Sequence, residues 1–581
     1  MSTPAPEPST LTTLRRVVAL LRPYPGRTAL ALGLGVPLVA CVTASPLILR
    51  YIIDEGLTAN SQRALLIGAA LMASVALVQF SCATLRRRTG GRLAVDAQRD
   101  LRLSMARKLA SLDAAWFDQA RTGGLLTRVS SDIDAVRAFL GFGFAFIVID
   151  GLTMAIALTQ MWLLDVRLTV LTLVFTIPTL ILALWFNSHL RVSFHRLQER
   201  RSEVTSVVHE AAAGISVVKT AGISEQWNDK FAARAGELHT EAKAAIRLRS
   251  RFAPLITALP QITAVTILLV GGIATINGSL SLGTLVAFNV YVAMVAALAA
   301  GASQLVSSAQ RAAVGGSRVF EVLDAQPLIT SRPGAAALPP GKGAEIALRD
   351  IEFRSLQGAT WRVPAGRHVV VRGAAATGKT TLAQLLVRDY DPDAGTVFID
   401  GFDATTLTVD SLRSQVIRTQ QDALMIAGTL RDNLLLGSAV ELDRIRDVLH
   451  AVDALDWVVD GDANDDDALQ AGLDRRISER GVDLSGGQRQ RIAMARAILR
   501  SPRVLILDGA LSEVDAATEA KILARLPEVL TGTTVIYLGT SSPHLRVDDT
   551  YELRDGRIHK IDDAPAEDDR LRSVVAAKAV T

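Results

Sequence analysis

The sequence VDLSGGQRQRIAMARAILRSPRVLILDG, residues 482–509, combines a glycine-rich turn, a helix and a hydrophobic strand that ends in an acid. The turn places two glycines and a serine where backbone N–H groups can point at an anion, ahead of a helix beginning near Gln488. The apolar run 504–507 is typical of a buried parallel strand, and Asp508 follows at its carboxyl end, where open α/β sheets bind ligands. The stretch therefore predicts a phosphate-binding α/β domain.

The composition indicates a membrane part in addition to this domain. The chain has 581 residues, of which 49% are hydrophobic. Its net charge of +4 comes from basic residues at the ends of apolar segments, so we expect no nucleic-acid partner. Six apolar stretches reach about 20 residues each, enough to cross the hydrocarbon core of a bilayer. These predicted spans, which define an α-helical six-span transmembrane domain, lie at roughly 28–50, 64–85, 137–164, 168–188, 252–277 and 282–308.

The distribution of cations predicts the topology in a cell (inner or plasma) membrane. The long loops 86–134 and 191–249 hold most of the arginines between the spans, so these loops and both termini are expected in the cytoplasm. Apolar residues recur in them at helical spacing, which predicts long cytoplasmic helical extensions of the membrane helices. Asp150 lies in the third span and is expected to face the bundle interior or a watery cavity. A substrate path, an interhelical hydrogen bond and a site nearer the membrane interface stay open for it.

A second motif marks the start of the predicted α/β domain. A linker rich in proline and glycine, 325–343, separates residues 1–324 from a domain over 344–565, with a tail at 566–581. After an apolar strand at 367–371, the sequence fits G-x-x-x-x-G-K-[ST], in which loop amides cradle phosphates, the lysine reaches the β and γ phosphates and the hydroxyl binds Mg²⁺. The residues predicted to bind ATP here are Gly373, Ala374, Ala375, Ala376, Thr377, Gly378, Lys379, Thr380 and Thr381.

Together these motifs resemble the ATP-binding cassette (ABC) family, specifically the exporter-type (type IV) half-transporters with a membrane domain ahead of a P-loop ATPase domain. Residues 116–134, WFDQARTGGLLTRVSSDID, and 210–219, EAAAGISVVK, resemble the family's two cytoplasmic coupling regions. The resemblance implies that Thr380, Gln421 and Asp508 hold Mg²⁺ beside ATP. It also implies that the signature contacts the ATP of a partner; its residues are Leu484, Ser485, Gly486, Gly487 and Gln488.

Three departures from the family pattern concern hydrolysis and base binding. Gly509 stands where family members carry the glutamate that acts as general base, and glycine has no side chain to accept a proton. Thr540 stands where a switch histidine is expected, and His544 comes four positions later, after a proline, which argues against a substitute. The segment before Trp361 lacks the residues whose aromatic ring stacks on adenine, and we expect Trp361 itself to be a core residue.

The intact and altered motifs together imply a specific arrangement. This chain resembles the degenerate-site subunit of a heterodimeric exporter: its own site binds ATP and hydrolyses it poorly, and its LSGGQ completes a competent site on a second half-transporter. We expect an amphipathic or lipid-like small molecule as cargo. Three alternatives stay open, namely import by an exporter fold, such as of siderophores, a membrane-tethered ATP sensor that transports nothing, and a homodimer with two impaired sites.

Overall fold

Long apolar helices dominate the first of two units in the computed structural model, which describes residues 9–119, 122–459, 461–462, 464–539 and 547–561. The first unit comprises Met1–Ser111 and Arg121–Ala325, and the second Leu112–Ala120 and Gln326–Thr581. The helices up to the end of the first unit are α1 Thr10–Ala19, α2 Pro25–Gly33, α3 Gly35–Tyr51, α4 Gln62–Ser111, α5 Ala114–Gln119, α6 Thr122–Thr127, α7 Ile133–Ala138, α8 Phe144–Leu164, α9 Val166–Ala213, α10 Ile215–Thr220, α11 Ser224–Ile276 and α12 Leu282–Asp324.

The membrane-spanning potential of this unit is carried by its longest helical stretches. Within the described residues, five are long and apolar enough to cross a membrane: Pro25–Thr58, Gln62–Ser111, Gly124–Leu164, Ser224–Ile276 and Leu282–Asp324. A shorter apolar helical stretch, Val166–Leu182, covers much of the predicted fourth span. The multi-pass helical architecture predicted from the sequence is confirmed, whereas the count of six spans stays a prediction.

Side chains on these helices divide between a packed interior and an apolar exterior. Phe288 and Tyr291 of α12 are fully buried against Met161 of α8 and Ile267 of α11. The hydroxyl of Tyr291 donates to the carbonyl oxygen of Thr43 on α3 at 2.5 Å, which satisfies a polar group inside the bundle. In the first half of α4, exposed side chains such as Leu66, Leu77 and Phe80 are apolar, as a lipid-facing surface requires.

The second unit is built from short strands and helices. Its strands are β1 Ile346–Phe353, β2 Leu356–Val363, β3 His368–Arg372, β4 Ala394–Ile399, β5 Phe402–Asp403, β6 Val416–Thr419, β7 Gly428–Thr429, β8 Arg476–Ile477, β9 Val504–Asp508, β10 Thr534–Leu538, β11 Asp549–Arg554 and β12 Arg557–Ile561. Its helices are α13 Lys379–Leu386, α14 Val409–Gln415, α15 Leu430–Leu435, α16 Leu442–Ala451, α17 Leu455–Val458, α18 Asp466–Leu473, α19 Gly486–Leu499 and α20 Ala516–Val529.

The main sheet of this unit positions the candidate site. Among the described residues it has six strands in the order β12-β11-β3-β10-β9-β6, and β3, β10, β9 and β6 run parallel. Strands β3, β10 and β9 in the middle of the sheet are apolar because both faces of the sheet are covered, as in other α/β domains. The carboxyl ends of β3 and β9 therefore meet at one edge, next to the start of α13.

Candidate functional site

The loop between β3 and α13 has the backbone geometry of an anion-binding turn. Ala376 and Gly378 have positive φ values of 63° and 111°, and the second is accessible at low cost only to glycine. A Cβ at Gly373 would lie 2.8 Å from the carbonyl oxygen of Leu553, so this glycine is also required by a close approach. Helix α13 begins at Lys379, directly after Gly378. Its first amides therefore face the loop interior and can bind a phosphate.

Backbone carbonyl groups of the loop hold the side chain of Lys379 in place. Its ammonium donates to the carbonyl oxygens of Gly373 and Ala374, both at 2.7 Å. Burial lowers the pKa of Lys379, and the nearby carboxylate of Asp508 opposes that shift. The group is thus a preorganised cation that can exchange loop carbonyls for phosphate oxygens.

Asp508 and Thr380 form an oxygen pair at the end of β9. The Thr380 hydroxyl donates to Oδ1 of Asp508 at 3.3 Å. Burial raises the pKa of Asp508, while the Thr380 hydrogen bond and the charges of Arg418 and Lys379 act in the opposite direction. Hydroxyl and carboxylate oxygens are the ligands that Mg²⁺ takes in nucleotide sites, so this donor set fits the ion that the sequence predicted.

Gly509 and Gln421 lie against each other beside this pair. Gly509 has φ +62°, and its N–H donates to the carbonyl oxygen of Leu538 at 3.1 Å. A Cβ on Gly509 would lie 3.4 Å from Cβ and 3.5 Å from Cγ of Gln421. The structure therefore brings Lys379, Asp508 and Gln421 to one end of the sheet, with a glycine in left-handed conformation among them.

The signature motif forms the start of α19, which begins at Gly486 rather than near Gln488. The Ser485 hydroxyl accepts from the Gln488 amide at 3.2 Å, and the Gln488 side chain accepts from the Ser485 amide at 2.9 Å. This capping box uses the amides of Ser485 and Gln488 as donors. The amides of Gly486 and Gly487, at the start of the helix, take no part in it. A Cβ on Gly486 would lie 1.8 Å from a carboxylate oxygen of Glu513, so a larger residue there would have to displace that side chain.

Comparison with known proteins identifies the two units. Residues 30–298 match the family described as ABC transporter transmembrane region, and residues 356–512 match the family described as ABC transporter. The chain belongs to the ABC transporters. This result confirms the exporter-type resemblance and the fold class predicted from the sequence.

Relatives of this ABC transporter include both longer and similar-sized proteins. A multidrug efflux ATP-binding/permease protein of Mycobacterium tuberculosis is 32% identical over 92% of this chain. The chain spans less than half of that relative's length, 44%. The uncharacterized ABC transporter ATP-binding protein YknV of Bacillus subtilis is 27% identical, with 90% of this chain and 87% of the relative covered. A bacterial Atm1-family ABC exporter solved with ATP bound has the same fold, with a TM-score of 0.75 at 22% identity over 96% of this chain and 97% of the other.

The region predicted to lack an adenine-stacking segment is a tight hairpin beside a buried tryptophan. Trp361 is 5% exposed and packs edge-on against the ring of Tyr551, which confirms the prediction that it belongs to the core. Strands β1 and β2 are joined by only Arg354 and Ser355, so the hairpin has no room for an intervening aromatic segment. Thr540 and His544 lie outside the described residues, and the predicted loss of the switch histidine stays a prediction.

Gln490 is a central residue of the site that the sequence analysis missed. It is 2% exposed, and its side-chain nitrogen donates to Ser512 Oγ at 3.0 Å and to the Gln421 carbonyl oxygen at 3.3 Å. Its side-chain oxygen accepts from the Glu513 amide at 2.9 Å. A buried glutamine thus joins the signature helix to the segments that hold Gln421 and Glu513. A polar residue on the otherwise apolar buried face of α19 was the available signal.

One segment of the first predicted coupling region belongs to the ATPase unit. The Asp113 carboxylate accepts from the backbone N–H groups of Leu328 and Ile329. The Oδ2 atom of Asp118, on α5, accepts from the hydroxyl of Tyr390 and lies 3.6 Å from Nη2 of Arg354. Acidic side chains therefore fasten this helical segment to the ATPase unit.

Asp150 lies apart from these groups, in the membrane unit. It is half-buried on α8, where its charge interacts with that of Arg86 on α4. The Arg86 guanidinium lies 5.4 Å from the ring centroid of Phe146, one turn before Asp150. The substrate path, the interhelical hydrogen bond and a site nearer the membrane interface all stay predictions for Asp150.

Proposed function

We propose that this chain is one half of a heterodimeric ATP-driven exporter, whose own nucleotide site binds MgATP and hydrolyses it poorly. The observation that carries the proposal is Gly509 directly after Asp508: the carboxylate pair expected at this strand end is reduced to one. Phosphate-binding groups surround Gly509. Among the described residues, this position offers no side chain that could act as a general base. Binding without efficient cleavage is the consequence.

The proposed binding mode follows from the geometry of the loop. The amides of residues 373–381 and the Lys379 ammonium bind the phosphates of ATP. Thr380, Asp508 and the side chain of Gln421 hold Mg²⁺, which supplies positive charge to the β and γ phosphates when it is bound. The Asp508 carboxylate, whose pKa is raised by burial, is stabilised in its charged form by such an ion.

The partner in this proposal is a second half-transporter that carries the glutamate and histidine missing here. The signature residues 484–488 contact the γ-phosphate of ATP bound to that partner, through the Gly486 and Gly487 amides and the Ser485 hydroxyl. The two membrane domains then form one pathway in the cell membrane, with both termini in the cytoplasm. Closure of the ATPase domains on ATP exposes the cargo cavity to the outside.

The proposed cargo is an amphipathic or lipid-like small molecule. A cavity of about 800 Å³ lies in the membrane unit, within the size range of small-molecule sites. Its lining mixes polar and apolar side chains, among them Asp132, His195, Gln304, Arg311, Leu190 and Phe194. The efflux proteins named among the relatives support export of small molecules, and Asp150 is not part of this lining.

The experiment that tests this proposal compares the chain alone with the chain copurified with its partner. The chain alone is expected to bind MgATP but release phosphate at close to the background rate, whereas the complex hydrolyses ATP. Inside-out vesicles containing the complex should accumulate a fluorescent amphipathic probe on addition of ATP, which also decides between export and import. Robust hydrolysis by the chain alone would contradict the proposal.

A further inference from the structure

One exposed stripe of helix α4 changes from apolar to cationic where the predicted second span ends, at residue 85. Within the span, Leu77 and Leu85 are 67% and 48% exposed. Beyond it, Arg88 and Arg92 are exposed. These four residues occupy positions i, i+8, i+11 and i+15, which share one face of an α-helix. The stripe therefore presents hydrocarbon and then guanidinium groups.

The buried side of α4 fixes the direction of this stripe. Arg86 is 8% exposed, and its guanidinium lies over the ring of Phe146 on α8. Leu93 and Ala97 are also buried, and their spacing places them on the same side of the helix as Arg86. Successive residues of an α-helix are about 100° apart, so Arg88 lies about 200° from Arg86 around the axis. The stripe therefore faces away from the packed interior of the membrane unit.

The two arginines of the stripe have no acidic partner in the part of the chain that the structure describes. Farther along the same helix, Nη2 of Arg99 lies 3.0 Å from Oδ1 of Asp100, and Nη2 of Arg102 lies 3.3 Å from Oδ1 of Asp134. Like charges four residues apart on one helix face destabilise the helix, and an anion bound between them removes that repulsion. A general preference for cations on the cytoplasmic side explains the arginines but not their missing partners.

The depth of these arginines matches the headgroup layer of a bilayer. An α-helix rises about 1.5 Å per residue, so the Cα atoms of Arg88 and Arg92 lie about 5 and 10 Å beyond residue 85 along the axis. The headgroup layer on each side of a bilayer is about 5–8 Å thick. Long arginine side chains also reach back from helix ends toward this layer. Both guanidinium groups can therefore meet one lipid phosphate, which each can bind through two parallel hydrogen bonds.

We propose that Arg88 and Arg92 bind the phosphate of an anionic phospholipid from the cytoplasmic leaflet, with an acyl chain of that lipid lying along Leu85 and Leu77. The order of apolar and cationic groups along the stripe matches the order of chain and headgroup in the lipid. None of these four residues lines the cavity of about 800 Å³ proposed for the cargo. The site therefore does not depend on the partner or the cargo proposed above.

Native mass spectrometry of the full chain, with any partner that copurifies, tests this proposal. The probes are palmitoyl-oleoyl phosphatidylglycerol, which is anionic, and palmitoyl-oleoyl phosphatidylcholine, which has the same acyl chains and no net charge. We expect the first phosphatidylglycerol adduct to bind about 5- to 25-fold more tightly, because each cation near an anionic lipid contributes about fivefold. Competition with sn-glycerol 3-phosphate, the soluble form of the same phosphate, distinguishes a lipid from a free phosphate. We expect it to leave the adduct in place.

Variants of α4 assign the binding to the stripe. Arg88→Gln and Arg92→Gln should each lower the affinity for phosphatidylglycerol by about fivefold, and the double variant by about 25-fold. Arg107→Gln is the matched control, because Arg107 is an exposed arginine of the same helix about 28 Å farther from the span than Arg88, and it should change nothing. MgATP binding checks folding, and an impermeant maleimide on a cysteine at Ser111 checks topology. If the double variant fails either check, the single variants decide.

Photo-crosslinking locates the bound lipid. A phosphatidylglycerol with a diazirine on its acyl chain should label a peptide from residues 77–95 after irradiation, and the double variant should lose that label. Equal affinities for the two lipids, an equal loss of affinity in Arg107→Gln, or labels confined to other helices would each overturn the proposal. Displacement of the adduct by sn-glycerol 3-phosphate at the concentration of the lipid would assign the arginines to a free phosphate and would also overturn it.

Discussion

Restoring the missing carboxylate by Gly509→Glu should not restore an efficient site, because the backbone at this position has a left-handed conformation. A residue with a Cβ costs about 1–2 kcal/mol there. The new Cβ would face Gln421, with its Cβ, Cγ and Cδ at 3.4, 3.5 and 3.7 Å. These are ordinary van der Waals contacts, so the left-handed backbone, rather than a clash, sets the direction in which the glutamate side chain leaves the chain, beside Gln421.

The expected rate follows from two opposing factors. A positioned general base contributes about 10² to 10⁴ in rate, and misplacement by about 1 Å can cost about 10²-fold. We expect the Gly509→Glu site to stay at least about 100-fold slower than the competent site of the partner. The assay is single-turnover hydrolysis in the complex with the partner's glutamate replaced by glutamine, so that product reports this chain's site. The partner's rate comes from the complex with native Gly509.

Gly509→Ala is the matched control for the backbone. It carries the same conformational cost without a carboxylate, and about 1–2 kcal/mol lowers the thermal midpoint of a domain of this size by about 2–8 °C. An unchanged midpoint for Gly509→Ala would show that the left-handed conformation is not a constraint. A Gly509→Glu rate within about tenfold of the partner's site would refute the misplacement argument directly.

Three further outcomes follow from the site and the topology. Lys379→Ala should weaken binding of a fluorescent ATP analogue to the chain by about 10- to 150-fold, since charge-assisted hydrogen bonds of about 1.5–3 kcal/mol are lost. The control is Lys521→Ala, a substitution of an exposed lysine, which should leave binding unchanged. Gln490→Leu should lower the free energy of unfolding by about 2–4 kcal/mol, because three buried hydrogen bonds are lost, and should leave MgATP binding intact. Thermal melting measures this loss, and an unchanged melting temperature would contradict the linking role of Gln490. A cysteine at Ser111 should resist an impermeant maleimide in intact cells, and labelling there would contradict the cytoplasmic assignment of residues 86–134.

The sequence was sufficient for features that depend on fixed spacing. The phosphate loop, the signature and Asp508 could be predicted because each follows or opens a recognisable strand or helix. Helix starts were less accurate: α19 begins two residues before its predicted start, since Ser485 caps the helix. The pattern of apolar residues marks a helix but not its capping hydrogen bonds.

Contacts between distant residues could not be predicted from a single sequence. Asp118 and Tyr390 are 272 positions apart, and they meet because α5 belongs to the ATPase unit. Arg418 and Asp389 also come from separate elements, and a charged residue within a short strand is ordinarily read as solvent-exposed. Gln490 carried no prediction, and its low exposure and three hydrogen bonds show that it lies inside the domain.

The central claim is that this chain contributes its signature, rather than its own phosphate loop, to productive hydrolysis. The most direct measurement is steady-state ATP hydrolysis by the complex carrying Ser485→Arg or Asp508→Asn in this chain. Ser485→Arg places bulk and positive charge at the two free amides of α19, next to the partner's ATP, and should nearly abolish hydrolysis. Asp508→Asn removes only the Mg²⁺ ligand of the degenerate site and should be milder. If Asp508→Asn reduces hydrolysis as much as Ser485→Arg does, the claim of asymmetry is contradicted.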